Sequence, residues 1–211
     1  MIQHLSQPRK RWMKMTGVVG AALLILLTVL PVQAYTVMTG KWASFSTTYV
    51  RDSSYNNQGS GWPSMFDTAA MNWTTSGAFS FNSNSSSSNH IQAANIAGDP
   101  SCNSCLALTS VYGNPINQFK VVVNIGSGYG FYDGTQGGTI PSNYYDLQSI
   151  MRHELGHAQG LCHSSNSSYL MYRSFGTGQV KSLDTDAKNG SKYLYLGGYT
   201  GPGPEGPCSL S

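Results

Sequence analysis

The chain has 211 residues, only 10% of which are charged, and it is rich in glycine, serine, asparagine, threonine and tyrosine. This length fits one domain, or one domain with a processed segment, and the composition is typical of a loop-rich protein with a neutral surface. The formal net charge of +3 is concentrated near the N-terminus, because four of the twelve basic residues lie at positions 9–14. The chain after residue 34 carries eight basic and nine acidic residues, which excludes a basic face for nucleic acid or anionic lipid.

Residues 1–34 are predicted to form a secretory signal peptide. The basic cluster precedes an apolar run over residues 17–30, and the small residues Val32 and Ala34 precede the expected cut. This run is shorter than the ~20 residues of a transmembrane helix. An uncleaved membrane anchor is the alternative. Signal cleavage would give a secreted protein with no stable membrane insertion, in which disulfides can form.

Two elements are predicted early in the remaining chain. Aromatic and β-branched residues indicate a first strand within residues 40–52, with candidate core residues Trp42, Phe45 and Tyr49. Apolar residues at helical spacing predict an amphipathic helix over residues 64–77, followed by a short strand in the segment FSFNS.

The later elements complete an α+β pattern. The serine-rich segment 82–89 is predicted to be a mobile surface loop, and the apolar run 119–123 indicates a buried strand. The strongest helix prediction covers residues 144–160, and a second good helix is expected over about residues 183–194. Strands early in the chain, flanked by helices, give an α+β domain.

The segment HELGHAQGLCH carries the chemistry. His153 and His157 are four residues apart, so on a helix they project from one face and can reach one Zn²⁺. Glu154 is placed to take a proton from water rather than to bind the metal. Gly160 can adopt a positive φ that ends the helix and reverses the chain. This reversal would bring His163 in as a third ligand.

Three protein ligands leave a fourth coordination position for water, which indicates one catalytic zinc ion rather than a structural one. Water activated there would attack a peptide carbonyl, and Glu154 would pass its proton to the leaving amine. The expected partner is a protein or peptide substrate, and we expect a monomer. Because the histidines must be neutral to bind metal, activity should fall below about pH 6. The alternative is a zinc-bearing peptide-binding module or pseudoenzyme, but the intact Glu154 favours an enzyme.

HELGHAQGLCH resembles the HExxHxxGxxH signature of the metzincin metallopeptidases, and residues 40–197 resemble the matrixin branch. The resemblance implies a zinc metalloendopeptidase with a twisted mixed sheet, an active-site helix and a C-terminal helix. It assigns residues 35–200 to the catalytic domain and residues 201–211 to a Gly/Pro-rich tail. Met171 matches the methionine that metzincins place in a tight turn beneath the zinc.

The resemblance has departures. Arg173 stands where matrixins often have proline, in the segment 173–176 that should wall the pocket for the residue after the scissile bond. We still expect a hydrophobic preference there, given Phe175 nearby. His90 is interpreted as a surface residue of the serine-rich loop rather than a ligand of a second zinc. Calcium ligation by Asp133 or Asp146 is conceivable, but the sequence does not support it.

The four cysteines allow three complete pairings. In an exported chain the CxxC segment indicates a structural disulfide, Cys102–Cys105. Cys162 would then pair with Cys208 and attach the Gly/Pro-rich tail. The alternative pairs Cys162 with Cys102 or Cys105, which would tie the long mid-domain loop to the turn after the active-site helix.

Overall fold

A computed structural model describes residues 35–208, except residues 103, 127 and 136. The predicted signal peptide and the last three residues of the tail lie outside the described residues. The strands are β1 (Val37–Met38), β2 (Ser46–Arg51), β3 (Ser80–Ser83), β4 (His90–Ala94), β5 (Ala107–Tyr112), β6 (Gln118–Asn124), β7 (Gly130–Tyr132), β8 (Tyr144–Asp146) and β9 (Pro207–Cys208). The helices are α1 (Ser53–Asn56), α2 (Trp62–Ser76), α3 (Leu147–Ala158) and α4 (Thr185–Tyr195).

Five strands form a mixed sheet in the order β3-β2-β4-β6-β5. The first four are parallel to one another, and β5 runs antiparallel to β6 at one edge. Two further sheets have two parallel strands each, β1 with β9 and β7 with β8. The predicted α+β fold, with a mixed sheet, an active-site helix and a C-terminal helix, is confirmed.

The main core lies between the sheet and the packed pair α2 and α3. Its fully buried side chains come from both helices and from β6, and they include Phe66, Trp73, Phe119, Val121, Leu147, Met151 and Leu155. Two hydrogen bonds join the two helices directly: the Trp73 indole N–H donates to the Arg152 carbonyl over 2.9 Å, and the Arg152 guanidinium donates to the Asn72 carboxamide oxygen over 2.7 Å. Every residue of α3 except Gln148 is buried, so neighbouring elements cover this helix along almost its whole length.

Replacing Trp73 with phenylalanine is expected to lower the free energy of unfolding by about 1–3 kcal/mol. The substitution removes a buried donor and leaves the Arg152 carbonyl without this partner. Urea unfolding measures the effect. Met71→Leu, on the same helix but 59% exposed, is the matched control and should change stability little. Equal stability of Trp73→Phe and the wild type would contradict this account of the helix pair.

Several element boundaries differ from the sequence predictions. The strand predicted within residues 40–52 is β2 and begins only at Ser46. Phe45 precedes it and is 70% exposed, so its assignment to the core is wrong. The helix predicted from residue 144 begins at Leu147, because the three residues before it pair with β7.

The serine-rich segment is also more structured than predicted. Its first two residues belong to β3, and Asn89 at its end is only 3% exposed. The Asn89 carboxamide accepts a hydrogen bond from the Phe119 N–H at 2.8 Å and donates to the Thr48 carbonyl at 2.7 Å. His90 lies in β4 rather than in a loop, half-buried, with its Nδ1 atom 2.8 Å from an Asp52 oxygen.

Among the described residues, none of the helices is long and apolar enough to cross a membrane.

Candidate active site

Helix α3 carries two of the predicted site histidines. It begins at a side-chain cap, because the Asp146 carboxylate accepts a hydrogen bond from the Ser149 N–H at 2.9 Å. His153 and His157 follow one turn apart and are 5% and 4% exposed. Their Nε2 atoms lie 3.0 Å apart.

The chain reversal after α3 brings the third histidine to the first two. Gly160 has φ +106°, as the motif predicts. The reversal is fixed by the N-terminal segment, since the Trp42 indole donates to the Ala158 carbonyl at 2.8 Å and the Met38 N–H donates to the Gly160 carbonyl at 2.9 Å. Beyond it, His163 places a ring nitrogen within 4.8 Å of those of the other two histidines.

Backbone carbonyls orient the two buried rings. The Nδ1 atom of His153 lies 2.8 Å from the Leu170 carbonyl, and the Nδ1 atom of His157 lies 2.8 Å from the Leu161 carbonyl. With Nδ1 as the donor in each ring, both Nε2 atoms are left unprotonated and face each other. The lone pairs of these two Nε2 atoms are therefore directed towards the same point, where a metal ion could bind.

The histidine cluster fits a zinc ion. Ligand nitrogens of a tetrahedral zinc site with ~2.1 Å bonds lie roughly 3.4 Å apart. Two of the ring nitrogens are 3.0 Å apart, and all three lie within 4.8 Å of one another. Small movements of the side chains would bring the nitrogens to the tetrahedral spacing. A metal ion can be shared by three or more His, Cys, Asp or Glu side chains that lie close together. Among the described residues, these three histidines form such a group.

Met171 packs against the turn of α3 that bears the histidines. It is fully buried, and a Cβ atom built on Gly156 would lie only 2.4 Å from its sulfur. The missing side chain at Gly156 therefore lets Met171 approach the helix between His153 and His157. Its carbonyl accepts a hydrogen bond from the Ser164 N–H at 2.8 Å, which links this turn to the segment after the third histidine.

Glu154 is 5% exposed and points towards the edge strand β5. The Thr109 hydroxyl on that strand donates to the Glu154 carboxylate at 2.6 Å. Burial raises the pKa of Glu154 to about 7, although the Thr109 hydrogen bond acts in the opposite direction. Sequence reasoning missed Thr109, because no motif surrounds it and only the fold brings β5 to the helix.

A cavity of about 310 Å³ opens beside the histidines and Glu154. One part of its wall is apolar and is formed by Leu106, Tyr129, Tyr145, Ile150 and Phe175. The predicted wall segment contributes residues 173–175. Arg173 is exposed there. Burial lowers the pKa of His163, and the positive charge of Arg173 lowers it further.

The two aspartates considered as calcium ligands are engaged by the protein itself. The Asp133 carboxylate accepts hydrogen bonds from Thr135 at 2.6 Å and from the Gly61 N–H at 3.3 Å. Asp146 is the cap of α3. Neither belongs to the histidine cluster.

Both predicted disulfides are confirmed, Cys102–Cys105 and Cys162–Cys208. The alternative, with Cys162 joined to the mid-domain loop, is wrong. Cys162 precedes the third histidine, so its bond attaches the C-terminal tail to the turn beside the active site. Strand β9 of the tail also pairs with β1.

Metal-free protein is expected to lose stability as the pH falls from about 6.5 to 4.5. Burial lowers the pKa of His153 well below its ordinary value and that of His157 to about 3. In this range the unfolded histidines therefore bind more protons than the folded ones, and stability falls with pH. Glu154 acts in the opposite direction, because its folded pKa is raised to about 7. Burial also lowers the pKa of His163, so three histidines act against one glutamate and the net result is a loss of stability as the pH falls.

Urea unfolding of the chelated protein across this range measures that loss. Glu154→Gln should steepen the decline, because it removes the opposing group. A free energy of unfolding that stays constant between pH 6.5 and 4.5 would contradict the neutral, buried state of the two histidines.

Replacing Gly160 with alanine is expected to lower the free energy of unfolding by about 1–3 kcal/mol, since φ +106° is strained for any residue with a Cβ. The added atom would also lie 3.3 Å from the Gly40 carbonyl oxygen. Gly98→Ala is the control, because its added Cβ meets open space. Thermal and urea unfolding of both variants give the comparison, and unchanged stability of Gly160→Ala would refute the strain argument.

Comparison with known protein families gives a match. The family model described as matrixin, of the M10 peptidases, matches residues 41–196. No curated protein matches the chain. The family match confirms the resemblance drawn from the sequence and covers the sheet from β2 to β6, the helix α3 and the C-terminal helix α4.

Proposed function

Because the chain belongs to the matrixin family, whose members are zinc-dependent endopeptidases, we propose that it is a secreted endopeptidase that uses Glu154 as its general base. His153, His157 and His163 would hold the zinc. The observation that carries this proposal is the meeting of three histidine nitrogens and one buried carboxylate at a single cavity.

The histidines are suited to ligation because burial keeps them neutral. The Leu170 and Leu161 carbonyls hold the rings so that the nitrogens facing the cavity are unprotonated. When bound, zinc would polarise the scissile carbonyl and make water in the site more acidic.

Glu154 would accept a proton from the attacking water and pass it to the leaving amine. Burial raises its pKa to about 7 in the metal-free protein, and a catalytic base works best when its pKa lies close to the working pH. The Thr109 hydroxyl fixes the carboxylate through the 2.6 Å hydrogen bond. No covalent enzyme intermediate is needed.

The edge strand β5 offers a place for an extended substrate. It lies at the end of the five-stranded sheet and borders the active-site cavity through Leu108 and Thr109. A peptide that pairs with this edge would present its backbone to Glu154 and the histidines. The apolar wall at Ile150 and Phe175 would take the side chain that follows the scissile bond.

Export of the protein is part of the proposal. A basic segment followed by an apolar run is typical of signal peptides. The two disulfides fit an oxidising compartment.

Casein and gelatin zymography tests the activity. Wild-type protein should clear both substrates, whereas Glu154→Ala and a chelated sample should not. The competing function is a zinc-bearing peptide-binding module, in which the cleft holds a peptide without cleaving it. Binding of peptides by zinc-loaded protein that cleaves no member of a broad peptide library would favour that alternative.

The same library tests the pocket after the scissile bond. We expect cleavage before hydrophobic residues, because Leu106, Ile150 and Phe175 form that wall. Uniform cleavage at charged residues would contradict this assignment.

A further inference from the structure

A second cavity, of about 360 Å³, lies next to the active-site cavity. The two share Ser101, Leu108 and Thr109, so they form successive parts of one groove along β5. The active-site cavity follows β5 from its first residues to Thr109, and the second cavity continues to Val111. The histidines and Glu154 border only the first.

The C-terminal tail forms part of the second cavity's wall. Cys208 lines it together with Met38, which is its partner in the pairing of β9 with β1. The tail is held by the Cys162–Cys208 disulfide and by the Glu205 N–H, which donates to the Tyr35 carbonyl at 3.0 Å. The family match ends at residue 196, so this wall is a feature of the chain beyond the matched region.

The position of the second cavity along β5 sets which part of a substrate it meets. The scissile carbonyl must lie near Glu154, and therefore near Thr109, whose hydroxyl donates a hydrogen bond to the Glu154 carboxylate. Val111 is two residues further along the strand, about 7 Å away. Phe175 and the wall for the residue after the scissile bond border the other part of the groove. The substrate residues two or three positions before the scissile bond would therefore lie at the second cavity.

The lining fixes the chemistry of the occupant. Its apolar members are Met38, Leu108, Val111 and Ile116, and its polar members are uncharged. A charged side chain placed there would lose water without gaining an ionic partner, which is costly. The volume accommodates a large aliphatic or aromatic side chain.

We propose that this cavity, with the disulfide-bound tail as one wall, binds a large apolar side chain two or three residues before the scissile bond of a peptide substrate. The inference rests on the proposed endopeptidase function. It makes the tail a determinant of substrate specificity rather than only a structural attachment.

Internally quenched peptides in two series test this inference. The extended series carries Phe, Leu, Ala or Lys at the second or third position before the scissile bond, and the truncated series ends just before those positions. The readout is the ratio of kcat/KM for extended and truncated peptides within each variant, because this ratio does not depend on the fraction of active enzyme. Wild-type protein should favour Phe or Leu over Lys roughly tenfold or more.

Two variants probe the two walls. Ser110→Trp should fill the cavity from β5 and remove the preference, while truncated peptides are still cleaved. Its control is Ser85→Trp, because Ser85 is exposed and lines neither cavity. The double variant Cys162→Ala/Cys208→Ala should release the tail wall and reduce the preference severalfold.

The outcomes separate the two proposals. If wild-type protein cleaves both series but shows no preference, or if the preference survives Ser110→Trp, the cavity does not bind this side chain. If the preference survives loss of the disulfide, the tail is not its wall. If neither series is cleaved, the endopeptidase function fails and the inference fails with it.

Discussion

Replacing Glu154 with glutamine is expected to lower kcat/KM for peptide cleavage by about 10²–10⁴-fold while zinc still binds. Glutamine has nearly the same shape and can still accept a hydrogen bond from Thr109, but it cannot take a proton from water. Steady-state cleavage of a quenched peptide, together with zinc content, measures both halves of this expectation. The loss should appear mainly in kcat.

The chain contains a matched control for this substitution. Glu205 is the other glutamate, and it is exposed in the tail, where its side chain bonds Ser165. Glu205→Gln removes the same charge from the protein away from the histidines and should leave cleavage unchanged. Equal activity of Glu154→Gln and the wild type would mean that another group moves the proton.

Replacing His157 with alanine is expected to weaken zinc binding by more than about 100-fold and to abolish cleavage. The substitution removes one of three nitrogens and leaves only the exposed His163 beside His153. Zinc content after dialysis and competition with a chromophoric chelator measure the affinity. His90→Ala is the control, since His90 lies outside the cluster and bonds Asp52.

Unfolding measurements accompany this pair, so that a misfolded variant is recognised. His157→Ala that is folded but retains one zinc with wild-type affinity would contradict the ligand assignment. Loss of zinc from His90→Ala would point to a metal site elsewhere in the chain.

The local part of the site could be predicted from the sequence. The spacing of His153 and His157, and the reversal at Gly160, depend on helix geometry and on one φ angle, and both are properties of a short segment. Helix α2 was also predictable, because its apolar residues recur at helical spacing over four turns. A short motif of this kind therefore predicts its own local geometry.

The contacts that cross the fold could not be predicted in the same way. Thr109 reaches Glu154 only because β5 pairs with β6 at the sheet edge beside α3. In the segment ALTSVY two apolar residues are followed by two polar and then two apolar ones, so its sequence lacks the alternation that indicates a strand. The preference of the second cavity depends on still more distant pieces, β1 and the tail.

Phe45 and Asn89 show how residue type alone misleads. An aromatic residue was assigned to the core and is 70% exposed, whereas an asparagine at the end of a serine-rich segment is 3% exposed. Asn89 tolerates burial because its side chain replaces missing backbone partners of β2 and β6. Such a role depends on neighbours that only the folded chain supplies.

Stoichiometric zinc titration of metal-free protein, followed by cleavage of one quenched peptide, tests the central claim most directly. The account predicts that cleavage is absent without metal, rises in proportion to added zinc and reaches its maximum at one zinc per chain. It also predicts that Glu154→Gln binds the same single zinc without comparable cleavage. Cleavage that is undiminished in metal-free protein, or no cleavage at one bound zinc, would contradict the account.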